Sequence, residues 1–548
     1  MSPESATVAE PPFERRFDSS LRSWEWIFLL AFWLSIVLSA FWQSHKEYFD
    51  NDELCTALLV SHPSFSTMWA AIRHGGEVNP PLFFIIEWFI ARLGSTGETM
   101  LRFISFISVG FGGWVLYFTL RPFTGPRIAA LAIALILGLS RDAFYFAGRA
   151  RYYGLLFLLV TVAIWLVKRP EAQRLVRWRD GVFVFLTHCA MVYLHLFGLL
   201  FSGAVFLAML IADSLAGRYR SRLYGCIIAA WVAFGAWIPS MLKQLKSAGA
   251  YTPPGYHSIG YIVEQLSLET PLALVLLLVA LLAGLALIAT RPCAATEEAN
   301  TCASPEGWIF LALLAGSLLA IPIGAWFGSF KITALYMPRY VFPSIIAWVV
   351  ITALVLLAFF RLPHGNLQLR WGAPPAIWSI AWFGVLAFCL CFQPMRAWKN
   401  APRPAQAFVD ATYGQENLPI VFENSWPYLP RAFYGRGRDY MLFTDANASQ
   451  ADPNWYTGFI ERYFKSYYPR YQRIHVAHYE DLPDSFLAVD DDVTQTFEWL
   501  FHHKSEFKTR LLGRRKAENG YFGEERVYLV EKSRSAQSNR RAPQIEAP

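Results

Sequence analysis

The run WEWIFLLAFWLSIVLSAFWQ, at residues 24–43, decides the fold. It has the length of ~20 mainly apolar residues that a helix needs to cross a membrane. The polar segment before it contains Arg15, Arg16 and Arg22, so the positive-inside rule predicts that residues 1–23 lie in the cytoplasm. The run is longer than the apolar core of a signal peptide, and no small-residue cleavage site follows it. We therefore interpret it as the first membrane span.

Further apolar runs follow along most of the chain. Apolar residues make up 55% of the 548 residues and charged residues 16%, against roughly 45–50% and 25% in soluble domains. This composition excludes an ordinary soluble protein, a disordered chain, a disulfide scaffold and a coiled coil. The other strong candidate spans are 101–120, 223–242, 271–290, 308–328, 341–360 and 374–393. Weaker or odd-length runs are 80–93, 128–148, 152–167 and 182–212.

The chain changes character near residue 395, where charges and turns replace the apolar runs. We predict a polytopic α-helical membrane protein with about 11 transmembrane helices and a C-terminal soluble α/β or α+β domain. The net charge of +7 is modest, and the basic residues lie between apolar runs, so a nucleic-acid partner is not expected. The predicted divisions are a cytoplasmic tail at 1–23, a membrane domain at 24–394, an extracytoplasmic domain at 395–533 and a disordered tail at 534–548.

Two topologies are open, and they differ in whether residues 80–93 cross the membrane. If they cross, the five basic residues of 168–180 lie outside, against the positive-inside rule. If they lie along the surface or re-enter, that loop is inside. The charge-free run 182–212 then forms two spans that turn near residues 195–198, because one straight helix of 31 residues would measure ~46 Å. Both topologies place the C-terminal domain outside, and the charge rule favours the second.

The external loop, residues 44–79, begins with an acidic motif. In FDNDELCT (residues 49–56) the carboxylates are Asp50, Asp52 and Glu53. A carboxylate at this surface could accept a proton from a hydroxyl nucleophile or help to hold a divalent cation. The alternative is a solvated loop or a helix N-terminus, where acidic residues are favoured anyway.

Basic and aromatic groups occur where other runs reach the same face. In GRARYYGLL (148–156), Arg149 and Arg151 could each grip a phosphate with two hydrogen bonds; the alternative is a snorkelling anchor. In MPRYVFP (337–343), Arg339 and Tyr340 add a second basic group, with Lys331 nearby; the alternative is an interfacial anchor.

A histidine also lies within an apolar run. His195, in YLHLFG, is either a core group bonded to a neighbouring helix or a phosphate contact or proton carrier. Carboxylates, arginines and a histidine at one face suit transfer from a phosphate-bearing lipid. A carboxylate would activate the acceptor hydroxyl, and arginines would neutralise the departing phosphate.

The order of these blocks resembles the GT-C superfamily of integral-membrane glycosyltransferases. The bacterial members in question are related to protein O-mannosyltransferases, lipid A aminoarabinose transferases and lipopolysaccharide glycosyltransferases. Asp52 and Glu53 match the Asp-Glu pair of the family's first external loop. Residues 79–82, NPPL, match its His-Pro-Pro-Leu block with Asn in place of His, so Asn79 inherits no proton-transfer role.

Later blocks extend the resemblance over about residues 24–360. Residues 150–153 match an Ala-Arg-x-Tyr block, with Arg149 where family members often have Glu. His195 alone matches a Thr-His-Tyr-like block, and residues 339–343 fit Arg-Tyr-x-x-Pro. Residues 237–239 begin a Trp-x-Pro block.

The resemblance implies a function and a set of site residues. It implies inverting transfer from a polyprenyl-phosphate-linked sugar to a lipid, glycan or protein acceptor, outside a bacterial inner membrane, in building the cell envelope. Asp52 would be the base, assisted by Asp50 and Glu53. The residues that would bind the lipid phosphate are Arg151, Arg149, His195, Arg339, Tyr340 and Tyr153. Metal dependence varies in the superfamily, which leaves open a divalent cation at Asp50, Asp52 or Glu53.

A transporter or flippase of lipid-linked sugars is the alternative function. It would use the same arginines without needing a base. Transporters typically show internal repeats and charged groups near the bilayer midplane, whereas the charges of this chain cluster at one face.

The C-terminal domain gives fewer signals. Residues 418–435 predict a buried strand, a turn and an amphipathic segment, and residues 526–532 predict a last strand. We interpret the run of three aspartates at 490–492 as a solvated turn, and the domain as one that shapes acceptor access.

Overall fold

The structure is a computed structural model that describes residues 21–73, 77, 79–168, 178–247, 305–329, 337–361, 375–400, 412–415, 417–423, 425–435, 438–443, 475–477, 479–491, 506–516 and 524–533. All structural statements refer to these residues. Outside them lie the predicted span 271–290, most of the basic loop 168–180, Lys331, and the tails 1–20 and 534–548.

Helices make up most of the described part of the chain before residue 401. In the described ranges, helices α1 to α16 are Ser23–Lys46, Asn51–Val60, Phe65–Ala71, Leu82–Leu93, Glu98–Thr124, Pro126–Ile133, Arg141–Ala147, Tyr153–Lys168, Trp178–Leu194, Phe197–Leu215, Ser221–Phe234, Ile238–Ser247, Pro305–Ser329, Pro338–Val341, Ile345–Arg361 and Pro375–Asn400. A π-helical turn, Ala134–Gly138, continues α6.

The chain is a multi-pass membrane protein. Among the described residues, six helical segments are long and apolar enough to cross a membrane, and a bent pair makes a possible seventh. The six are Ser23–His45, Glu98–Thr124, Phe197–Leu215, Ser221–Leu242, Gly307–Ser329 and Pro338–Leu357; the pair, Pro126–Gly138 with Arg141–Ala147, bends by 73°. The expected eleven crossings include 271–290, which lies beyond the described ranges.

Helices α1 and α5 form an antiparallel pair, which bears on the topology. At one end Glu25 of α1 forms an ion pair of 2.8 Å with Arg121 of α5. At the other, Arg102 of α5 donates a hydrogen bond of 3.0 Å to the carbonyl of Glu47, just after α1 ends. The segment between the two helices thus starts and finishes on one side of the bundle. Helix α4, of 12 residues, spans only ~18 Å, so this geometry favours the arrangement in which 80–93 does not cross.

The charge-free run at 182–212 is broken as predicted. Helix α9 ends at Leu194 and α10 begins at Phe197, leaving His195 and Leu196 between them. A Cβ atom at Gly198 would overlap the carbonyl oxygen of Met191, so glycine is needed where the second helix starts against the first. The break brings His195 to the end of both helices.

Among the described residues, a sheet of six strands follows the membrane helices. Its strands, β1 to β6, are Ile420–Phe422, Tyr440–Phe443, His475–Ala477, Ser485–Asp491, Phe507–Lys516 and Glu524–Lys532, in the order β3-β2-β1-β4-β6-β5. Strands β3, β2, β1 and β4 are parallel, and β6 pairs antiparallel with both β4 and β5. Helix α17, Ser425–Tyr434, lies between β1 and β2 in the chain. We call the strands and α17 the sheet unit.

The strands at 420–422 and 524–532 and the helix at 425–434 match the sequence prediction. The interpretation of residues 490–492 as a solvated turn is wrong for Asp490, which lies within β4 opposite Arg526. Its side chain is buried, with an ion-pair distance of 3.9 Å to Arg526. The cross-strand partner Arg526 therefore explains why Asp490 can be buried, although the sequence alone indicated an exposed carboxylate.

Candidate active site

The acidic motif forms the first turn of helix α2. Asp50 is the N-cap: its side chain accepts a hydrogen bond of 2.8 Å from the Glu53 N–H. The Asp50 N–H in turn donates to Glu53 Oε2 at 3.0 Å. This capping box satisfies two of the amide groups left unpaired at a helix start. Two of the three carboxylates that suggested chemistry, Asp50 and Glu53, therefore also fix the local structure.

Glu53 is completely buried and surrounded by donors. Arg102 donates to both carboxylate oxygens at 2.7 Å. The Ala150 N–H donates at 2.6 Å, and Arg149 lies 3.2 Å from Oε2. With the Asp50 N–H, these contacts fill the hydrogen-bonding positions of the carboxylate. Glu53 thus ties α2 to α5 and to the loop before α8.

Asp52 has a different environment, although it is the next residue. Its side chain is 28% exposed, and Oδ2 accepts a hydrogen bond from Arg339 Nη1. Oδ1 accepts no hydrogen bond from the described residues. The second nitrogen of Arg339, Nη2, lies 3.3 Å from the sulfur of Met337, a weak acceptor. Both Asp52 and Arg339 therefore keep bonding capacity for another molecule.

Arg151 is the second cation beside Asp52. Its Nη1 donates to the Asp52 carbonyl at 3.2 Å and to Thr56 Oγ1 at 3.1 Å. The same nitrogen lies 3.5 Å from the carboxylate of Glu77, which also accepts a hydrogen bond of 2.8 Å from Asn79. Arg151 is therefore held in place from both sides, by α2 and by the segment before α4.

The rings of Tyr152, His195 and Tyr340 lie between the segments that carry Arg151 and Arg339. His195 stacks on Tyr152 with centroids 4.4 Å apart and faces Tyr340 at 4.9 Å. Tyr152 meets Tyr153 edge-on at 4.6 Å. His195 Nδ1 accepts a hydrogen bond from the Phe197 N–H at 3.2 Å. The hydroxyls of Tyr152 and Tyr153 are buried and have no hydrogen-bond partner in the described part of the chain.

The three carboxylates have different acidities. Burial raises the pKa of Asp50 to about 6, and the negative charge of Glu53 acts in the same direction. Burial also favours a higher pKa for Asp52, but Arg339 and Arg151 outweigh it and hold the pKa below its ordinary value. For Glu53 the effect of burial is overcome by Arg102, and its pKa is about 2. Asp52 is therefore an ionised carboxylate at neutral pH.

A divalent cation fits these carboxylates poorly. Each of them faces an arginine, and the oxygens of Glu53 are already occupied by N–H donors. Hard cations require several free oxygen ligands around one point. Within the described ranges, no group of three His, Cys, Asp or Glu side chains is arranged to hold a metal ion.

Comparison with known proteins gives a fold but no sequence family. No protein-family model matches the sequence, and no curated protein matches it. The structure superposes on ArnT from Cupriavidus metallidurans bound to undecaprenyl phosphate, with a TM-score of 0.52 and 14% identity over 93% of this chain and 98% of that one. With the apo state of that ArnT the TM-score is 0.53, at 12% identity over 92% and 97% of the chains.

The chain has the fold of ArnT. This agrees with the GT-C-like architecture that the sequence motifs implied. An archaeal oligosaccharyltransferase, AglB from Archaeoglobus fulgidus in complex with an inhibitory peptide and a dolichol-phosphate, also aligns. Its TM-score is 0.42, at 12% identity over 92% of this chain and 74% of that one.

Within this ArnT fold the predicted residues come together at one end of the helices. The cluster contains all nine side chains singled out in the sequence, Asp50, Asp52, Glu53, Arg149, Arg151, Tyr153, His195, Arg339 and Tyr340. Arg102 and Glu77, which are buried ion-pair partners in the same cluster, were not among the predicted residues. Arg102 had a signal, because a lone charge inside the run 101–120 is costly unless it is paired.

Proposed function

We propose that this protein is a membrane glycosyltransferase that moves a sugar from a polyprenyl-phosphate-linked donor to an acceptor hydroxyl, with inversion. One observation carries the proposal: an ionised, partly exposed carboxylate with one open oxygen, Asp52, lies beside two arginines that can bind a phosphate. The ArnT structure with undecaprenyl phosphate supports the class of donor.

In this proposal Asp52 acts as the general base. Its Oδ1 takes the proton of the acceptor hydroxyl while the hydroxyl oxygen bonds to the anomeric carbon of the sugar. The bond from that carbon to the phosphate oxygen breaks on the opposite side, and its electron pair leaves with the polyprenyl phosphate. A single displacement of this kind inverts the anomeric centre. Asp50 and Glu53 assist by fixing the first turn of α2 on which Asp52 stands.

The leaving phosphate is neutralised by Arg339 and Arg151. Within the described ranges Arg339 makes one charged contact, to Asp52, so its other N–H groups can turn to phosphate oxygens. Arg149 lies within 3.2–3.6 Å of three carboxylates and acts mainly through its charge. Tyr153 at the start of α8, His195 between α9 and α10, and Tyr340 on α14 complete the binding site.

The proposed location is a bacterial inner membrane, with the site on the extracytoplasmic face. The sheet unit packs on the same end of the bundle as the acidic motif, which suits a role in admitting a lipid, glycan or protein acceptor. In a cysteine-free background, Lys508→Cys on an exposed position of β5 should react with a membrane-impermeant maleimide in intact spheroplasts. Reaction only after lysis would place the unit in the cytoplasm.

The function itself is tested by lipid mass spectrometry and turnover. Purified wild-type protein should retain undecaprenyl phosphate or its sugar adduct, and Arg151→Ala should lose it. In proteoliposomes loaded with that adduct, the wild type should release undecaprenyl phosphate when acceptor is present, and Asp52→Asn should not. Movement of the lipid across the bilayer by both proteins, without sugar transfer, would instead favour the flippase.

A further inference from the structure

The last residue of α17 contacts the acidic motif directly. The Tyr434 hydroxyl accepts a hydrogen bond of 2.9 Å from the Phe49 N–H and donates one of 2.6 Å to Glu98 Oε1. Phe49 immediately precedes the helix cap, Asp50, and Glu98 opens α5. One side chain of the sheet unit therefore joins the two segments that frame the motif.

Ring contacts fix that hydroxyl in place. The Tyr434 ring packs on Tyr48 with centroids 4.3 Å apart, and Phe433 meets Phe49 edge-on at 6.2 Å. Phe49 is buried, and on another side its ring lies 5.3 Å from the guanidinium carbon of Arg102. Residues 48 and 49 are thus held between α17 and α5, with little freedom to shift.

Helix α17 is in turn anchored to the sheet. Arg431 forms a buried ion pair with Glu525 of β6, at 2.8 Å. The Tyr428 hydroxyl accepts a hydrogen bond of 2.7 Å from the His475 N–H on β3. These contacts reach β3 and β6, which lie on opposite sides of β1 in the sheet. A displacement of the sheet would therefore carry α17 and Tyr434 with it.

We propose that Tyr434 is a positioning residue for glycosyl transfer, through which the sheet unit sets the placement of Asp52. It holds the Phe49 peptide, the peptide leads into the Asp50 cap, and the cap fixes the first turn of α2. Displacement of a reacting group by about 1 Å can cost a hundredfold in rate, so this support affects turnover without contact with substrate. The inference rests on the proposed function, and it gives the sheet unit a role beyond shaping acceptor access.

The test compares two tyrosines of the same helix. Tyr434→Phe keeps the ring and its packing and removes the hydroxyl that bonds to Phe49 and Glu98. The matched control, Tyr428→Phe, removes a hydroxyl that bonds to the His475 backbone inside the sheet unit. In proteoliposomes we expect kcat to fall about tenfold for Tyr434→Phe, with KM for the donor within about twofold of wild type. For Tyr428→Phe, kcat should stay within about twofold of wild type, because the buried Arg431–Glu525 ion pair still holds α17 on the sheet.

A second readout does not depend on activity. Amide hydrogen exchange of the Phe49 N–H, followed by mass spectrometry, should be about tenfold or more faster in Tyr434→Phe and unchanged in Tyr428→Phe. Equal effects of the two variants on both kcat and exchange would overturn the inference. If the wild type transfers no sugar but the exchange difference is seen, the proposed function fails while the mechanical link between α17 and the motif stands.

Discussion

Asp52 and Glu53 are neighbours in sequence and opposites in environment. Glu53 is fully buried, holds Arg102 at 2.7 Å on both oxygens, and also accepts backbone hydrogen bonds. Asp52 is 28% exposed and shares one oxygen with Arg339. Successive residues of a helix point about 100° apart, so one faces α5 and the other faces the cluster around Arg339. The comparison distinguishes Glu53, a structural carboxylate, from Asp52, which keeps one oxygen without a hydrogen bond from the described residues.

The largest effect is predicted for a substitution of Asp52. Asp52→Asn keeps the size of the side chain and its contact with Arg339, but it removes the proposed proton acceptor. The initial rate of sugar transfer in proteoliposomes should fall by about a hundredfold to ten-thousandfold. Undecaprenyl phosphate binding, measured by native mass spectrometry, should be retained. Asp439→Asn, at an exposed position just before β2, is the control; a rate for Asp52→Asn close to this control would rule out Asp52 as the base.

The second prediction concerns Glu53, the structural carboxylate of the pair. Glu53→Gln leaves the Arg102 charge buried without its partner, which costs about 3–5 kcal/mol of stability. The melting temperature in detergent should drop sharply, while kcat per folded molecule falls far less than in Asp52→Asn. Glu25→Gln, at the other end of α1, is the matched control, because its partner Arg121 is 23% exposed and can be hydrated. Equal losses of stability in the two variants would contradict the special role given to Glu53.

The third prediction compares the arginines of the two carboxylates. Arg339→Ala should weaken undecaprenyl phosphate binding by about tenfold to a hundredfold, because the proposed charged hydrogen-bond donor to the phosphate is lost. Its melting temperature should change little, since the side chain is 28% exposed. Arg102→Met should show the reverse pattern, with lost stability and retained lipid binding. If Arg339→Ala binds the lipid as tightly as wild type, its role at the phosphate is wrong.

The smallest predicted effect concerns the cap, Asp50. Its pKa of about 6 in the folded protein lies above the ordinary value. Between about pH 4 and pH 6 the folded state therefore binds more protons than the unfolded state, and stability falls as pH rises. Asp50→Asn still accepts the cap hydrogen bond but does not titrate, so it should lose this slope. Melting temperatures of both proteins across that window check the sign, and parallel curves would exclude Asp50 as the source.

Much of the site could be predicted because its chemistry is local. The acidic motif, the two arginine blocks and His195 stand at the ends of apolar runs, and those ends must meet at one face of a helical bundle. The break between α9 and α10 followed from length alone, since 31 charge-free residues exceed one span. A helix N-terminus was one of the alternatives for the acidic motif, and the structure places the motif at the start of α2.

The rest depended on contacts between residues far apart in the chain. Nothing near Arg102 in the sequence tells that it pairs with Glu53, 49 residues earlier. Tyr434 meets Phe49 across 385 residues, and no periodicity encodes such a contact. Asp490 was predicted to be solvated because its partner, Arg526, lies on β6, further along the chain. Sequence patterns indicate which side chains lie at the membrane surface. The residues that these side chains contact are determined by tertiary packing.

The position of β6 has a consequence for how the protein is made. This strand has neighbours on both sides in the sheet, and it carries Glu525, the buried partner of Arg431 on α17. A nascent chain thus inserts its membrane helices and exposes the whole acidic motif before residues 524–532 have left the ribosome. Until then α17 lacks its ion-pair partner and cannot brace the loop before α2. Chains cut short before residue 524 by stalled translation or proteolysis would therefore keep the whole acidic motif and lack the strand that anchors α17.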